Sequence, residues 1–266
     1  GETENDRSGR SVSNAGDVNG DGFDDVIVGA SGADSNGIRS GSSYMVFGQA
    51  SGFSAAMDLS GLDGNNGFRV VAESAYDYSS VSFSKAGDVN GDGFDDLFVH
   101  AFGFDLNGAS SATYVVFGKA SAFDAALDLS ILGGSNGFRL DGEAADDFPG
   151  GPVSAGDVNG DGFDDLIVGD SGAGPNGTDS GSSYVVFGKA SGFDAPLDLS
   201  SLDGSNGFRL DGETANDHSG GSVSNAGDVN GDGFDDVIIG ASGANDHGYY
   251  ASGGASYVVF GKASGF

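Results

Sequence analysis

The ten-residue string Gly-Asp-Val-Asn-Gly-Asp-Gly-Phe-Asp-Asp begins at Gly16 and returns at Gly87, Gly156 and Gly227. In its first copy the spacing is Asp17, Asn19, Asp21, then Gly22, Phe23, Asp24 and Asp25. Side-chain oxygens at positions 1, 3 and 5, a backbone carbonyl at position 7 (Phe23) and a carboxylate at position 9 (Asp25) make an oxygen shell suited to a hard cation such as Ca2+. The glycine at position 6 permits the sharp turn that such wrapping needs. These carboxylates and the neighbouring Asp24 repel one another unless a cation lies among them. A solvated acidic turn would explain one such loop; four copies at one spacing favour a metal site. Asp24, Asp95, Asp164 and Asp235, at position 8, are expected to point to solvent or to cap the strand that follows, and are not counted as ligands.

Helix-flanked calcium loops require a carboxylate at position 12. Here position 12 is Val28, Val99, Val168 and Ile239, each inside an apolar block, so the loop is of another kind. The Gly-Gly-x-Gly-x-Asp nonapeptide of calcium β-rolls is also absent.

The elements that must position these loops recur with them, every 69–71 residues. In the third copy Pro152-Val153-Ser154 precedes the loop, and Asp164-Asp165-Leu166-Ile167-Val168-Gly169 follows it. Then come Ser183-Tyr184-Val185-Val186-Phe187-Gly188 and Gly207-Phe208-Arg209-Leu210. Short β-branched and aromatic blocks bounded by Gly, Asn, Asp and Ser, without 3.6-residue periodicity, read as strands. About four strands per unit cannot bury both sheet faces alone, so neighbouring units must stack. Radial stacking into an all-β propeller of four four-stranded antiparallel blades fits this pattern. A solenoid fits less well, because its coils are usually shorter than about 50 residues. The chain reads as a single repeat domain, 1–266, with units of approximately 1–71, 72–141, 142–211 and an incomplete 212–266.

The 266 residues carry 40 Asp+Glu against 10 Lys+Arg, a formal charge of −30, which excludes nucleic acid as a partner. No apolar run approaches the roughly 20 residues of a membrane-spanning helix. Cysteine is absent, so neither disulfides nor thiolate metal sites are used. The 51 Gly follow no Gly-X-Y triplet and are explained by tight turns between strands.

The succession Gly-x-Ser-Val-Ser, Gly-Asp-Val-Asn-Gly-Asp-Gly-Phe-Asp-Asp, Val-Ile-Val-Gly-Ala-Ser and Tyr-x-Val-Phe-Gly resembles the FG-GAP repeat of integrin α-chain propellers and their bacterial relatives. The resemblance covers essentially the whole chain. It implies four antiparallel strands per blade and about four Ca2+, one per repeat, in the hairpin between the first two strands. The ligands it implies are Asp17, Asn19, Asp21 and Asp25; Asp88, Asn90, Asp92 and Asp96; Asp157, Asn159, Asp161 and Asp165; and Asp228, Asn230, Asp232 and Asp236. Carbonyls would come from Phe23, Phe94, Phe163 and Phe234. The family's Phe-Gly is replaced by Ser8-Gly9, Ser79-Ser80, Pro149-Gly150 and Ser219-Gly220. Its Gly-Ala-Pro becomes Gly29-Ala30-Ser31, His100-Ala101-Phe102, Gly169-Asp170-Ser171 and Gly240-Ala241-Ser242. Family propellers usually have seven blades; four units are present here, without an Arg-Gly-Asp motif.

No catalytic set emerges. His100, His218 and His247 sit at non-equivalent repeat positions and read as surface or turn residues, and no Gly-x-Ser-x-Gly elbow occurs. Tyr44, Tyr114, Tyr184 and Tyr257 belong to the apolar strand pattern; Arg69, Arg139 and Arg209 read as outer-strand charges paired with nearby Asp. The expected function is a non-enzymatic, calcium-binding extracellular or cell-surface propeller, an adhesion or interaction module for a protein or glycan. The alternative is a self-associating structural surface or filament subunit. An enzyme on a propeller scaffold would need an unrepeated polar and aromatic cluster. Tyr76-Asp77-Tyr78 and His247-Gly248-Tyr249-Tyr250 are the nearest candidates. Gly1-Glu2 aligns with Gly212-Glu213 and Phe266 with Phe193, so counterparts of residues 194–211 are missing from the fourth unit. This phase suggests an excerpt of a longer array, closed by further repeats or by neighbouring copies.

Overall fold

The computed structural model describes residues 3–34, 40–71, 82–105, 108–142, 153–190, 192–244 and 253–266. The first repeat forms β1 (Ser8–Gly16), β2 (Asp25–Ala30), β3 (Ser42–Val46) and β4 (Gly67–Val71). The second forms β5 (Ser82–Gly87), β6 (Asp96–Asp105), β7 (Gly108–Val116), a short β8 (Ala126–Asp128) and β9 (Gly137–Asp141). The third forms β10 (Val153–Gly156), β11 (Asp165–Asp170), β12 (Ser182–Val186), β13 (Leu197–Asp198) and β14 (Gly207–Asp211). The fourth forms β15 (Ser219–Gly227), β16 (Asp236–Ala241) and β17 (Ala255–Val259). Among the described residues there is no α-helix, only single 3-10 turns at Leu59–Gly61, Leu129–Ile131 and Leu199–Ser201. Asp58, Asp128 and Asp198 cap these turns by accepting from the N–H of Ser60, Ser130 and Ser200.

The chain is therefore all-β, four sheets for four repeats, as blades of a propeller require, but the strand count per sheet is not uniform. The orders are β1-β2-β3-β4-β8, β13-β9-β7-β6-β5, β10-β11-β12-β14 and β15-β16-β17. Each acidic loop is the hairpin between the first two strands of its repeat. It is closed by the pairs Gly16↔Asp25, Gly156↔Asp165 and Gly227↔Asp236, each beside a register shift that turns the chain into the loop. The extra strand in the first sheet comes from the next repeat: β8 pairs parallel with β4, Val70 opposite Leu127. An open edge strand invites unwanted pairing, and this short parallel strip covers one. Leu127 and Leu197, in β8 and β13, are buried, whereas their counterpart Met57 in the first repeat is exposed and lies outside any strand.

By contact the chain divides into two compact units. One holds Gly1–Lys85, Asp92–Leu140 and Gly192–Leu197; the other holds Ala86–Gly91, Asp141–Ser191 and Asp198–Phe266. In the first, Ile27, Met45, Phe47 and Phe68 of one repeat share a core with Phe83, Leu97, Val99 and Phe123 of the next. In the second, Ile167, Val185, Phe187 and Phe208 share a core with Val237 and Ile239, and Phe266 packs against it. Neither repeat of a pair buries its apolar face without the other. An aromatic trio recurs in these cores. Phe123 stacks on Phe68 with ring centroids 4.3 Å apart, Phe193 on Phe138 at 4.4 Å, and Phe266 on Phe208 at 4.3 Å, with Phe47, Phe117 and Phe187 as the third rings. The stacked ring is always a later repeat's contribution.

Tyr44, Tyr114 and Tyr184 are buried as their strand positions require, and Tyr257 is half-buried. Arg209 pairs with Asp211 at 2.8 Å, as expected of an outer-strand charge. His100 differs from expectation. It lies buried in β6 with Nδ1 3.1 Å from Thr113 Oγ1, and burial pushes its pKa down to about 4. It is a neutral core group.

If the trio is what joins repeats, Phe123→Ala and Phe193→Ala should each cost about 3–5 kcal/mol. Phe53→Ala, whose exposed ring is the first repeat's counterpart, should change stability by less than about 0.5 kcal/mol. Urea denaturation of the three variants measures this; equal costs would remove the trio from its joining role.

Candidate metal centre

Each loop is wound by its own carboxylates. Asp17 accepts from the N–H of Asp21 at 3.0 Å (Oδ1) and of Gly22 at 2.8 Å (Oδ2). Asn19 Oδ1 accepts from Asp21 N at 2.9 Å, and Asp21 Oδ1 accepts from Phe23 N at 2.9 Å. The third loop repeats this with Asp157, Asn159 and Asp161, and the fourth with Asp228, Asn230 and Asp232. In the second, Asp92 Oδ1 accepts from Phe94 N at 3.1 Å. Such side-chain-to-backbone bonds favour turns over regular structure. Gly20 and Gly22, at φ +73° and +87°, supply the left-handed steps.

Position 9 lies beneath the loop. Asp25, Asp96, Asp165 and Asp236 are fully buried. Asp25 accepts from Val18 N at 3.0 Å and from Gly48 N at 2.8 Å; Asp165 accepts from Val158 N and Gly188 N, both at 2.9 Å. Asp236 binds Val229 N and Gly261 N in the same way, and Asp96 binds Gly118 N. One carboxylate thus joins the loop to the exit of the third strand. Burial pushes the Asp25 carboxyl up to about 6 and the Asp165 carboxyl up to about 8. The charges of Asp21 and Asp17, and of Asp161 and Asp157, add to the rise.

The donor set at positions 1, 3, 5, 7 and 9 is wholly oxygen, which suits a hard cation, and a carboxylate oxygen that accepts one N–H keeps a second lone pair. Among the described residues, no group of three or more His, Asp or Glu side chains is gathered into a metal-holding cluster. The carboxylates are turned onto backbone N–H groups instead. The residues fit the cation in chemistry and order along the chain.

At position 8, Asp95, Asp164 and Asp235 do not point to solvent, whereas Asp24 is exposed. Asp95 Oδ2 accepts from Asp17 N at 2.8 Å, Asp95 N donates to Asp17 O at 3.1 Å, and Lys119 N donates to Val18 O at 2.9 Å. Lys85 holds the other Asp95 oxygen at 2.8 Å. A Cβ on Gly20 would fall 2.1 Å from the Phe94 ring, so the ring requires glycine there. In the second unit Asp164 grips Asp88 and Asp235 grips Asp157 by the same pair of bonds, with Phe163 over Gly91 and Phe234 over Gly160. The second, third and fourth loops therefore each sit on the loop before. Asp24 accepts a long bond from Asn14 Nδ2 at 3.3 Å. The sequence clue was present: a carboxylate beside the position-9 aspartate repeated in all four copies. Tyr76-Asp77-Tyr78 and His247-Gly248-Tyr249-Tyr250 lie outside the described residues.

Asp95→Ala strips an acceptor from Asp17 N and should cost about 1–3 kcal/mol. Asp24→Ala should stay within about 0.5 kcal/mol. Chemical denaturation compares them, and equal effects would overturn the grip. The raised carboxyls give a pH signature in chelator. The folded state keeps protons that the unfolded state releases near pH 3.8, so stability falls as pH rises through about 6 for Asp25 and about 8 for Asp165. Melting temperatures of chelated protein should decline between about pH 4 and pH 8; a rise over that range would contradict the burial of these groups.

The FG-GAP repeat family matches residues 8–44, 152–186 and 219–259, which are the first three strands and acidic loops of the first, third and fourth units. A search of curated proteins finds no match to the chain. The second unit, where His100-Ala101-Phe102 stands in place of Gly29-Ala30-Ser31, lies outside the matched segments yet repeats their strand order and loop contacts. The first, third and fourth units are thus matched as FG-GAP repeats and the second is folded alike, which makes the chain similar to FG-GAP repeat proteins such as the β-propellers of integrin α-chains.

Proposed function

We propose that the chain is a calcium-stabilised, non-enzymatic interaction module of the extracellular space or cell surface, holding about four Ca2+, one in each acidic loop. The observation that carries this reading is the fully buried carboxylate at position 9, pushed up by burial and by the like charges of positions 1 and 5. A bound cation would supply the opposite charge. Asp17, Asn19, Asp21 and Asp25 with the Phe23 carbonyl would hold it in the first loop. Their equivalents at Asp88–Asp96, Asp157–Asp165 and Asp228–Asp236 would do so in the others. Loops of this ligand count in extracellular modules bind with Kd on the order of 10⁻⁴ to 10⁻³ M, a range that cytosolic calcium does not fill. The extracellular assignment rests on that and on the similarity to integrin α-chains, whose propellers act at cell surfaces; a protein or glycan there is the partner class. His100 is committed to the core, which leaves it no role in proton transfer.

Ligand that binds only the native state stabilises it by about 2.7 kcal/mol per site at a hundredfold excess over Kd. Millimolar Ca2+ should therefore raise the melting temperature strongly, and chelator should reverse the rise. Calorimetric titration should count about four ions, and one fewer in Asp21→Ala. Melting curves that overlay in calcium and chelator, or a stoichiometry untouched by Asp21→Ala, would sink the metal assignment.

A further inference from the structure

Asn-Gly stands at positions 3 and 4 of every acidic loop, and again at Asn66, Asn136 and Asn206, before the Phe-Arg of the outer strands. This pair is chemically unstable. The glycine nitrogen, unhindered by a neighbouring Cβ, attacks the asparagine Cγ and forms a new C–N bond. The Cγ–Nδ2 bond breaks, and ammonia leaves with the proton that the glycine nitrogen gives up. Water from the solvent then opens the cyclic imide at either carbonyl, leaving aspartate or isoaspartate. What surrounds the pair decides whether the attack takes place.

In the third loop the attacking atom is held, because Gly160 N donates to Asp157 Oδ1 at 2.7 Å. The carboxamide is held as well. Asn159 Nδ2 donates to Asp161 Oδ2 at 2.9 Å, and Asn159 Oδ1 accepts from Asp161 N at 2.8 Å. In the first loop Asn19 is tied to Asp21 in the same way, at 3.1 Å and 2.9 Å. Each carboxamide is thus bound to the residue beyond the glycine that would attack it. Gly20 and Gly160 are exposed, so only the loop has to unwind for the pair to be free in water. The outer turns differ. Asn66 is bonded too, Oδ1 to Asp63 N at 3.0 Å and Nδ2 to Gly61 O at 3.1 Å. But Gly67, Gly137 and Gly207 are buried and begin β4, β9 and β14, so there a sheet must open first.

We infer that Asn19 and Asn159 are modification sites that the wound loop keeps latent: its aspartates restrain the reacting groups, and opening of the loop releases the asparagine to become aspartate or isoaspartate. Rewinding does not reverse the change. Isoaspartate carries the main chain through its former side chain, which inserts a methylene between positions 3 and 4. It also adds a carboxylate to a loop that already holds four aspartates. The altered loop would lose the ligand spacing that a cation needs; that consequence alone rests on the calcium reading.

The test keeps chelator in every sample, so that it is independent of the metal. The full chain is aged at mildly alkaline pH, folded or in urea, then digested, and its peptides are followed by mass and by chromatographic separation of the isoaspartyl form. In urea Asn19, Asn159, Asn66, Asn136 and Asn206 should convert at similar rates. In the folded chain Asn19 and Asn159 should convert at least about tenfold more slowly than in urea, through transient opening of the loop. They should still convert before the three outer-turn asparagines. Asp21→Ala should speed Asn19 roughly fivefold, as loss of one side-chain hydrogen bond does, and leave Asn159 unchanged; Asp161→Ala should do the reverse. Folded loops that convert as fast as in urea, or outer-turn asparagines that convert first, would overturn the inference. So would an unchanged Asn19 in Asp21→Ala, or equal acceleration of Asn19 and Asn159, which assigns the effect to unfolding of the whole chain. Calcium-dependent melting reads the metal assignment separately from all these outcomes.

Discussion

The structure depends on a carboxylate buried at the foot of each acidic hairpin. Removing a charge from water costs several kcal/mol unless hydrogen bonds replace the solvent, and Asp25 obtains two from the backbone, at Val18 N and Gly48 N. Those two donors lie at opposite ends of the repeat's inner meander, one at the start of the loop and one just past β3. Fixing both to one side chain sets the path of everything between them. The loop must arch over Asp25 within eight residues, which its left-handed glycines allow and a chain of β-branched residues would not. Asparagine at this place would offer one acceptor oxygen for two donors.

Adjacent residues of a strand face opposite ways, and the paired aspartates at positions 8 and 9 exploit that. Position 9 turns into its own hairpin; position 8 turns out and binds the backbone of the preceding loop. Cohesion within a repeat and between repeats is thereby encoded in one dipeptide. The apolar cores follow the same logic, since Ile27 and Met45 are covered by Leu97 and Val99 of the next repeat. The result is nearest-neighbour cohesion of the kind expected of repeat proteins, in which stability accrues at junctions.

The strands and the hairpin loops were legible in the sequence because their signals are local: period and β-branching for β2, β3, β11 and β12, and turn glycines for the loops. What escaped was non-local. The partner of Asp95 is 78 residues away and that of Asp164 is 76 away, so spacing within one repeat does not reveal them. The strips β8 and β13 are three and two residues long, too short for periodicity to register, and each lies against the edge of a sheet that the preceding repeat builds. His100 breaks the repeat pattern where other units carry Gly29, Gly169 and Gly240. That irregularity suggested a surface residue, but Thr113 across the strand pair supplies a hydrogen-bond partner that makes burial tolerable.

Near-identity of the repeats has a consequence for specificity. If every junction uses the same contacts, their chemistry does not distinguish a neighbour in the same chain from a neighbour in another. The distinction comes from tethering: repeats joined by a short linker meet at an effective concentration in about the millimolar range, whereas separate chains meet at their bulk concentration. Internal order is therefore robust even though the contact itself is indiscriminate. The formal charge of −30 acts in the same direction, because copies repel at a distance in a way that covalently joined repeats overcome during folding. Four aspartates in each loop place much of that charge at the junctions themselves. Any cation that neutralises the loops acts on folding within the chain and on contact between chains through one set of carboxylates.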